Sequence, residues 1–184
     1  MGYCFHHDGY YDKLMRILFL LLALTLAAPL QAARSYAIDM LIFQRASPGS
    51  GERYWPDSQA APISLNNNTE ATPLHGGPLS GVAAKLDRQP GYRVLYHRFW
   101  RQPVFSRRGS SPITIHVDRG GDARVDGSVS ISARHYLHLD VDLTLRHDGI
   151  PVAFKAHQRM RSGETYYIDH PLGGIIIRAL SPKR

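Results

Sequence analysis

The chain has 184 residues, of which 43% are hydrophobic and 20% charged, the balance of one globular domain rather than of a disordered or low-complexity polymer. Its one cysteine, Cys4, sits near the N-terminus, which excludes a disulfide scaffold. A formal net charge of +7 favours anionic partners.

In chain order, the first element is an apolar run, Ile17 to Ala28, which follows Lys13 and Arg16 and leads into "PLQAA". Residues 1–32 read as a secretory signal peptide cut after Ala32, with translation expected to start at Met15 because residues 1–14 are too polar for a leader. The run of 12 residues is well short of the roughly 20 that span a bilayer, so no stable membrane anchor is expected after cleavage. Losing residues 1–32 removes two bases and two acids, which leaves the charge of residues 33–184 at +7. A periplasmic location follows as the expectation, and with it the exclusion of nucleic acid as a partner.

"SYAIDMLIFQR" (Ser35 to Arg45) is apolar on both faces and reads as a central strand. Residues 46–78 are loaded with Gly, Pro, Ser and Asn and read as one long loop. "LSGVAAKLDRQPG" (Leu79 to Gly91) predicts a helix of about three turns, with Ser80 as N-cap and Val82, Ala83 and Leu86 as its apolar stripe. From Tyr92 the period becomes two. Strands are predicted in "YRVLYHRFWRQPV", "ITIHVD", "RVDGSVSIS", "HYLHLDVDLTLR", "IPVAFKAHQRMR" and Ile175 to Leu180. The expected fold is α+β: a twisted antiparallel sheet of six or seven strands in a meander, with one helix between the first and second strands.

The chain offers no obvious catalytic set. It lacks G-x-S-x-G and S-x-x-K. Along one strand His135 and His138 point to opposite faces, while His138, Asp140 and Asp142 spread over about 13 Å, so neither set predicts a metal site and no cofactor is expected. Glu164 and Asp169, flanked by tyrosines, are the one carboxylate pair that suggests glycan hydrolysis, which needs a separation of about 5–9 Å. A binding surface is the stronger reading. Arg159 and Arg161 share a strand face and suit carboxylates. Arg98 and Trp100 in "RFWRQPV", with Tyr166 and His170 in "RMRSGETYYIDHPLGGIII", complete the candidate ligand residues.

"YAIDMLIFQR", "ERYWP", "GYRVLYHRFWRQP", "ARHYLHLDVDL" and "RMRSGETYYIDHPLGGIIIRALSP" occur in that order. Together they resemble the CsiV family of periplasmic peptidoglycan-binding proteins. The resemblance implies a protein that is not an enzyme, binds peptidoglycan and promotes cell-wall synthesis by assisting a class A penicillin-binding protein and its outer-membrane lipoprotein activator. A purely protein-binding envelope scaffold is the alternative, and a wall hydrolase using Glu164 and Asp169 a lesser one.

Overall fold

The computed structural model describes Met15 and residues 34–46, 71–106 and 110–181. The chain divides into two compact units, Met1–Ala32 and Ala33–Arg184, and every strand and helix named below belongs to the second. The signal-peptide reading of residues 1–32 and the loop reading of residues 47–70 lie outside the described residues, Met15 apart. No described helix is long and apolar enough to cross a membrane.

Among the described residues of the second unit, nine strands and one helix follow in order: β1 (Arg34–Arg45), β2 (Thr72–Leu74), α1 (Ser80–Arg88), β3 (Tyr92–Val104), β4 (Ile113–Asp118), β5 (Arg124–Ala133), β6 (Leu137–His147), β7 (Ile150–Met160), β8 (Thr165–His170) and β9 (Gly173–Leu180). They form two antiparallel sheets, one in the order β2-β3-β1-β9-β8 and one in the order β4-β5-β6-β7. The expectation of a single sheet is therefore corrected. β4 to β7 are the predicted meander, but β9 returns to pair with β1. Apolar period says which face of a strand is buried and nothing about which distant strand it pairs with.

The helix position is corrected too. It follows the second strand, because Thr72–Leu74, inside the predicted loop, pairs with Thr72↔Arg101 to Leu74↔Phe99 on β3. Three residues are too few to show a period. Pro73 is tolerated there because β2 is an edge.

The sheets share one apolar interior. Ile38, Met40 and Ile42 of β1, Trp100 of β3 and Ile175 and Ile177 of β9 meet Val125, Val129 and Ile131 of β5 and Leu139, Leu143 and Leu145 of β6. The strict alternation of β6 places its odd-numbered residues there and leaves His138, Asp140, Asp142 and Thr144 on the outer face. β1 buries both faces, as a central strand should. Its Leu41 packs with Leu79 and Val94 in a smaller cluster, against which Ala83 and Leu86 of α1 rest. The inward stripe is thus 79, 83 and 86, and Val82 faces solvent.

Ser80 is the first helical residue and not the cap. Leu79 takes the cap position without a side-chain bond of its own, and its N–H donates instead to the carboxylate of Asp39, 2.7 Å away. Asp39 is fully buried and also bonds His97 Nε2 at 2.9 Å. Gly77 permits this approach, since a Cβ there would lie 2.3 Å from the Asp39 carboxylate.

β3 carries a bulge. Ile42 faces Tyr96 and Phe43 faces Val94, so Leu95 is the extra residue. Leu95 joins the inter-sheet core while Val94 turns to the helix side, an exchange of the faces that simple alternation assigns to them.

Candidate functional site

The predicted ligand residues do not form one surface. Trp100 is 1% exposed and its indole N–H donates to Gln102 Oε1 at 2.7 Å, which makes it a core residue and corrects its assignment to a ligand face. Trp100→Ala should cost about 3–5 kcal/mol of stability, whereas Trp100→Phe, read in a wall pull-down with a thermal melt beside it, should lower Tm and leave binding unchanged. Loss of binding by the folded phenylalanine variant would restore Trp100 to the site. Arg98 is exposed on β3, in the other sheet from Arg159.

Arg159 and Arg161 do converge, and the ring between them escaped the sequence reading. Their guanidinium carbons lie 4.5 and 5.8 Å from the centre of the Tyr136 ring, at cation–π distance. Tyr136 precedes β6 and reads by period as merely an outward residue. The Arg161 N–H donates to Tyr166 Oη at 2.9 Å, and that hydroxyl donates to Glu164 at 2.6 Å. The hydrogen bond to Glu164 raises the Tyr166 phenol above its usual range. Tyr166 itself packs on the inter-sheet core, and so closes a turn rather than presenting a ring.

His170 sits at the far end of β8 from Tyr166. Its ring stacks on Phe154 with centroids 4.6 Å apart, and its Nδ1 accepts the Leu172 N–H at 3.2 Å. Burial depresses its pKa below the ordinary 6.5, so the neutral ring is the folded form. The unfolded chain then binds the extra proton first, and stability should fall as pH drops from about 6.5 toward the depressed folded value. Urea unfolding at several pH values should show this fall shrink in His170→Gln, and an unchanged profile would contradict it.

The best-formed site lies at this end of the molecule, where β1 leaves the sheet. Period two makes Tyr167, not Tyr166, the outward residue of β8, and it is half exposed. Its ring stacks on Phe43 of β1, centroids 6.2 Å apart and planes within 8°, and the Tyr92 ring is tilted against Phe43 at 5.8 Å. Gly174 makes room for the stack. A Cβ on it would come within 2.7 Å of the Tyr167 ring and 3.0 Å of the Phe43 ring.

Arg45 ties the corner together. Its guanidinium donates to Tyr167 Oη and to Asp169 Oδ1, both at 2.7 Å, and to the His170 carbonyl at 3.1 Å. Tyr167 also hydrogen-bonds Asp169. Burial, then the Asp169 hydrogen bond, pushes the Tyr167 phenol up to about 12. The Tyr167 hydrogen bond, joined by Arg45, outweighs burial and holds Asp169 below the usual carboxylate range. Burial works against the charge on Arg45, but Asp169 and its neighbours still raise its pKa. At neutral pH the corner therefore holds a fixed cation, a fixed anion and a neutral phenol.

Beside the aromatic rings opens a cavity of about 320 Å³, lined by Arg45, Tyr92, Arg93, Asp122, His147 and Asp148 among others. That volume suits a small polar group. Ligand atoms of Asp122, His147 and Asp148 all lie within 4.8 Å of one another. Both Asp122 oxygens, however, accept turn N–H groups, from Asp148 and Gly149 at 2.8 Å each, and those bonds lower its pKa. They hold the β6–β7 turn, in which Asp148 has φ +50°.

Glu164 and Asp169 flank β8 at opposite ends. Five residues of extended chain separate them by roughly 16 Å, beyond the span of a glycosidase carboxylate pair, and each is engaged by a different neighbour.

A protein-family model described as "Peptidoglycan-binding protein, CsiV" matches residues 66–180. The match runs from before β2 to the end of β9, so Tyr92, Arg93, Tyr167 and Asp169 fall within it, while Phe43 and Arg45 precede it. No curated protein and no solved structure matches the chain.

Proposed function

The chain belongs to the CsiV family of peptidoglycan-binding proteins, and on that premise we propose that it holds the wall polymer at the Arg45 corner. The observation that carries this reading is the half-exposed Tyr167 ring stacked on Phe43 beside a cavity flanked by Arg45 and Arg93. Peptidoglycan alternates sugar rings with carboxylate-bearing peptides. An aromatic face suits the apolar side of a sugar, and guanidinium groups suit a carboxylate.

The role is non-enzymatic binding in the periplasm, after cleavage of the leader. The separation of Glu164 from Asp169 supports it, as does the structural engagement of the Asp122 carboxylate. Sedimentation with purified sacculi tests it. The protein should pellet at low salt, release as ionic strength shrinks the screening length from about 10 Å at 0.1 M to about 3 Å at 1 M, and liberate no muropeptides. Protein left in the supernatant at low salt would refute wall binding, and muropeptide release would refute the non-enzymatic reading.

Support of a class A penicillin-binding protein and its outer-membrane lipoprotein activator is the finer reading, and it rests on the sequence resemblance. Crosslinking in cells should recover both partners with the protein. Recovery of wall material alone would remove that part.

A further inference from the structure

The outer face of the β4–β7 sheet carries a second arrangement, independent of the Arg45 corner. β6 and β7 pair so that Asp140 faces His157 and His138 faces Arg159, which makes His138 the diagonal neighbour of His157. Their rings stack with centroids 5.4 Å apart and planes 21° from parallel. The nearest nitrogens, His138 Nδ1 and His157 Nε2, are 3.4 Å apart. The far nitrogen of His157, Nδ1, bonds Asp140 Oδ1 at 2.6 Å.

From this geometry we infer that His138 and His157 form a binding site for a borderline divalent transition-metal ion such as Zn²⁺. A separation of 3.4 Å is a long, weak hydrogen bond beside the usual N–H···O range of about 2.7–3.2 Å. It matches two nitrogen ligands of one tetrahedral ion, which at about 2.0–2.1 Å from the metal lie about 3.3–3.4 Å from each other. Imidazole lone pairs lie in the ring plane and the two rings are stacked, so the exposed His157 ring must turn out of the stack for both lone pairs to meet at that point.

Asp140 supplies the second shell. By accepting the Nδ1–H of His157 it fixes the tautomer in which Nε2 is the free ligand and orients the ring. Imidazole pairs select Zn²⁺, Ni²⁺ or Cu²⁺ over the oxygen-seeking Mg²⁺ and Ca²⁺. His157 is exposed and His138 partly so, and an open trough of about 540 Å³ beside His157 is lined by Ser128, Ser130, Asp140, Asp142 and Lys155 among others. Water or an external carboxylate can fill the remaining positions. Reading one strand at a time excludes a metal here; the site exists only across the β6–β7 pairing.

The test is calorimetric titration of the tag-free protein with Zn²⁺, Mg²⁺ and Ca²⁺, with circular dichroism to confirm that each variant is folded. The site predicts one Zn²⁺ per chain, no Mg²⁺ or Ca²⁺ binding, and loss of the ion in His138→Ala and in His157→Ala. Asp140→Asn should weaken binding by about ten- to a hundredfold, and His147→Ala should leave it unchanged. Absence of saturable Zn²⁺ binding, or its persistence in the double histidine variant, overturns the site. Loss only in His147→Ala overturns it as well and assigns the ion to the Asp122 turn. Wall retention is a separate readout, so failure here leaves the Arg45 corner untouched.

Discussion

A protein carrying Tyr167→Ala and Arg45→Gln together is expected to lose wall binding by at least about tenfold, or about 1.4 kcal/mol, while keeping its fold. The two side chains carry the two chemistries assigned to the corner. Aromatic and arginine anchors are the residues whose truncation most often costs more than about 2 kcal/mol in an interface. The fold should survive because Tyr167 is half exposed and Phe43, beneath it, keeps its contact with Tyr92. Asp169, left without Arg45, is 63% exposed and remains hydrated. Tyr167→Phe keeps the ring and loses only the hydroxyl, so it should retain most of the binding. If the double variant still pellets with sacculi as the parent does, the corner is not the site. If Tyr167→Phe fails as badly as Tyr167→Ala, the phenol and not the ring face is the contact.

A large loss of stability is also expected from the smallest possible change, Gly173→Ala, which adds a single methyl group. A Cβ at that position would lie 2.1 Å from the Phe43 carbonyl oxygen and 3.1 Å from Gln44 Cα, and both are backbone atoms of the central strand. No rotamer change relieves such a contact. Either β9 moves off β1 or the end of the ladder opens. Overpacking of this kind costs about 1–3 kcal/mol and sometimes more, and the upper end is expected, which corresponds to a fall in Tm of roughly 6–12 °C at this chain length. Gly174→Ala makes the informative contrast. Its Cβ would meet the rings of Tyr167 and Phe43, which can tilt, at 2.7 and 3.0 Å, and the Ile168 carbonyl oxygen of β8 only at 3.1 Å. It should unfold less readily than Gly173→Ala yet disturb wall binding more. Equal melting temperatures for parent and Gly173→Ala, measured by calorimetry, would contradict the packing account.

Neighbouring glycines thus divide the work of the "GGIII" stretch. The first lets the last strand approach the first; the second clears a place for an aromatic stack. In the sequence they look alike.

β1, β3 to β7 and β9 were legible because each carries its own period, whereas β8, which runs to His170, was not read as a strand. β6 alternates without a break, and β1 announces its central position by being apolar on both faces. The helix was legible from Ala83, Leu86 and the stop at Pro90. What escaped was everything that depends on a second strand. The division into two sheets rests on β9 pairing with β1 across the whole domain, and β2 is too short to show any pattern. The N–H of Leu79, at the cap position of α1, is held by Asp39, forty residues away in sequence.

The site followed the same rule. Arg159 and Arg161 were found because they are close in sequence, and their ring, Tyr136, was missed because it comes from the bend just before the neighbouring strand. Tyr166 was preferred over Tyr167 although the two must face opposite sides of β8, and only the burial of Ile168 fixes which side is inward. Trp100 reads equally well as core or surface until the bulge at Leu95 sets the phase of β3. Arg45 gave no signal at all, since a lone arginine at the end of an apolar strand resembles any solvated strand end.

Two surfaces now compete to be the wall contact: the Arg45 corner, with its aromatic stack and cavity, and the Arg159–Tyr136–Arg161 cluster on the other sheet. The most direct test is nuclear magnetic resonance of the isotopically labelled protein titrated with soluble muropeptides from digested sacculi. The Arg45 corner predicts saturable shifts centred on Arg45, Tyr92, Arg93 and Tyr167, with Tyr136 and Arg159 still. Shifts confined to Tyr136, Arg159 and Arg161, or none at muropeptide excess, would contradict it.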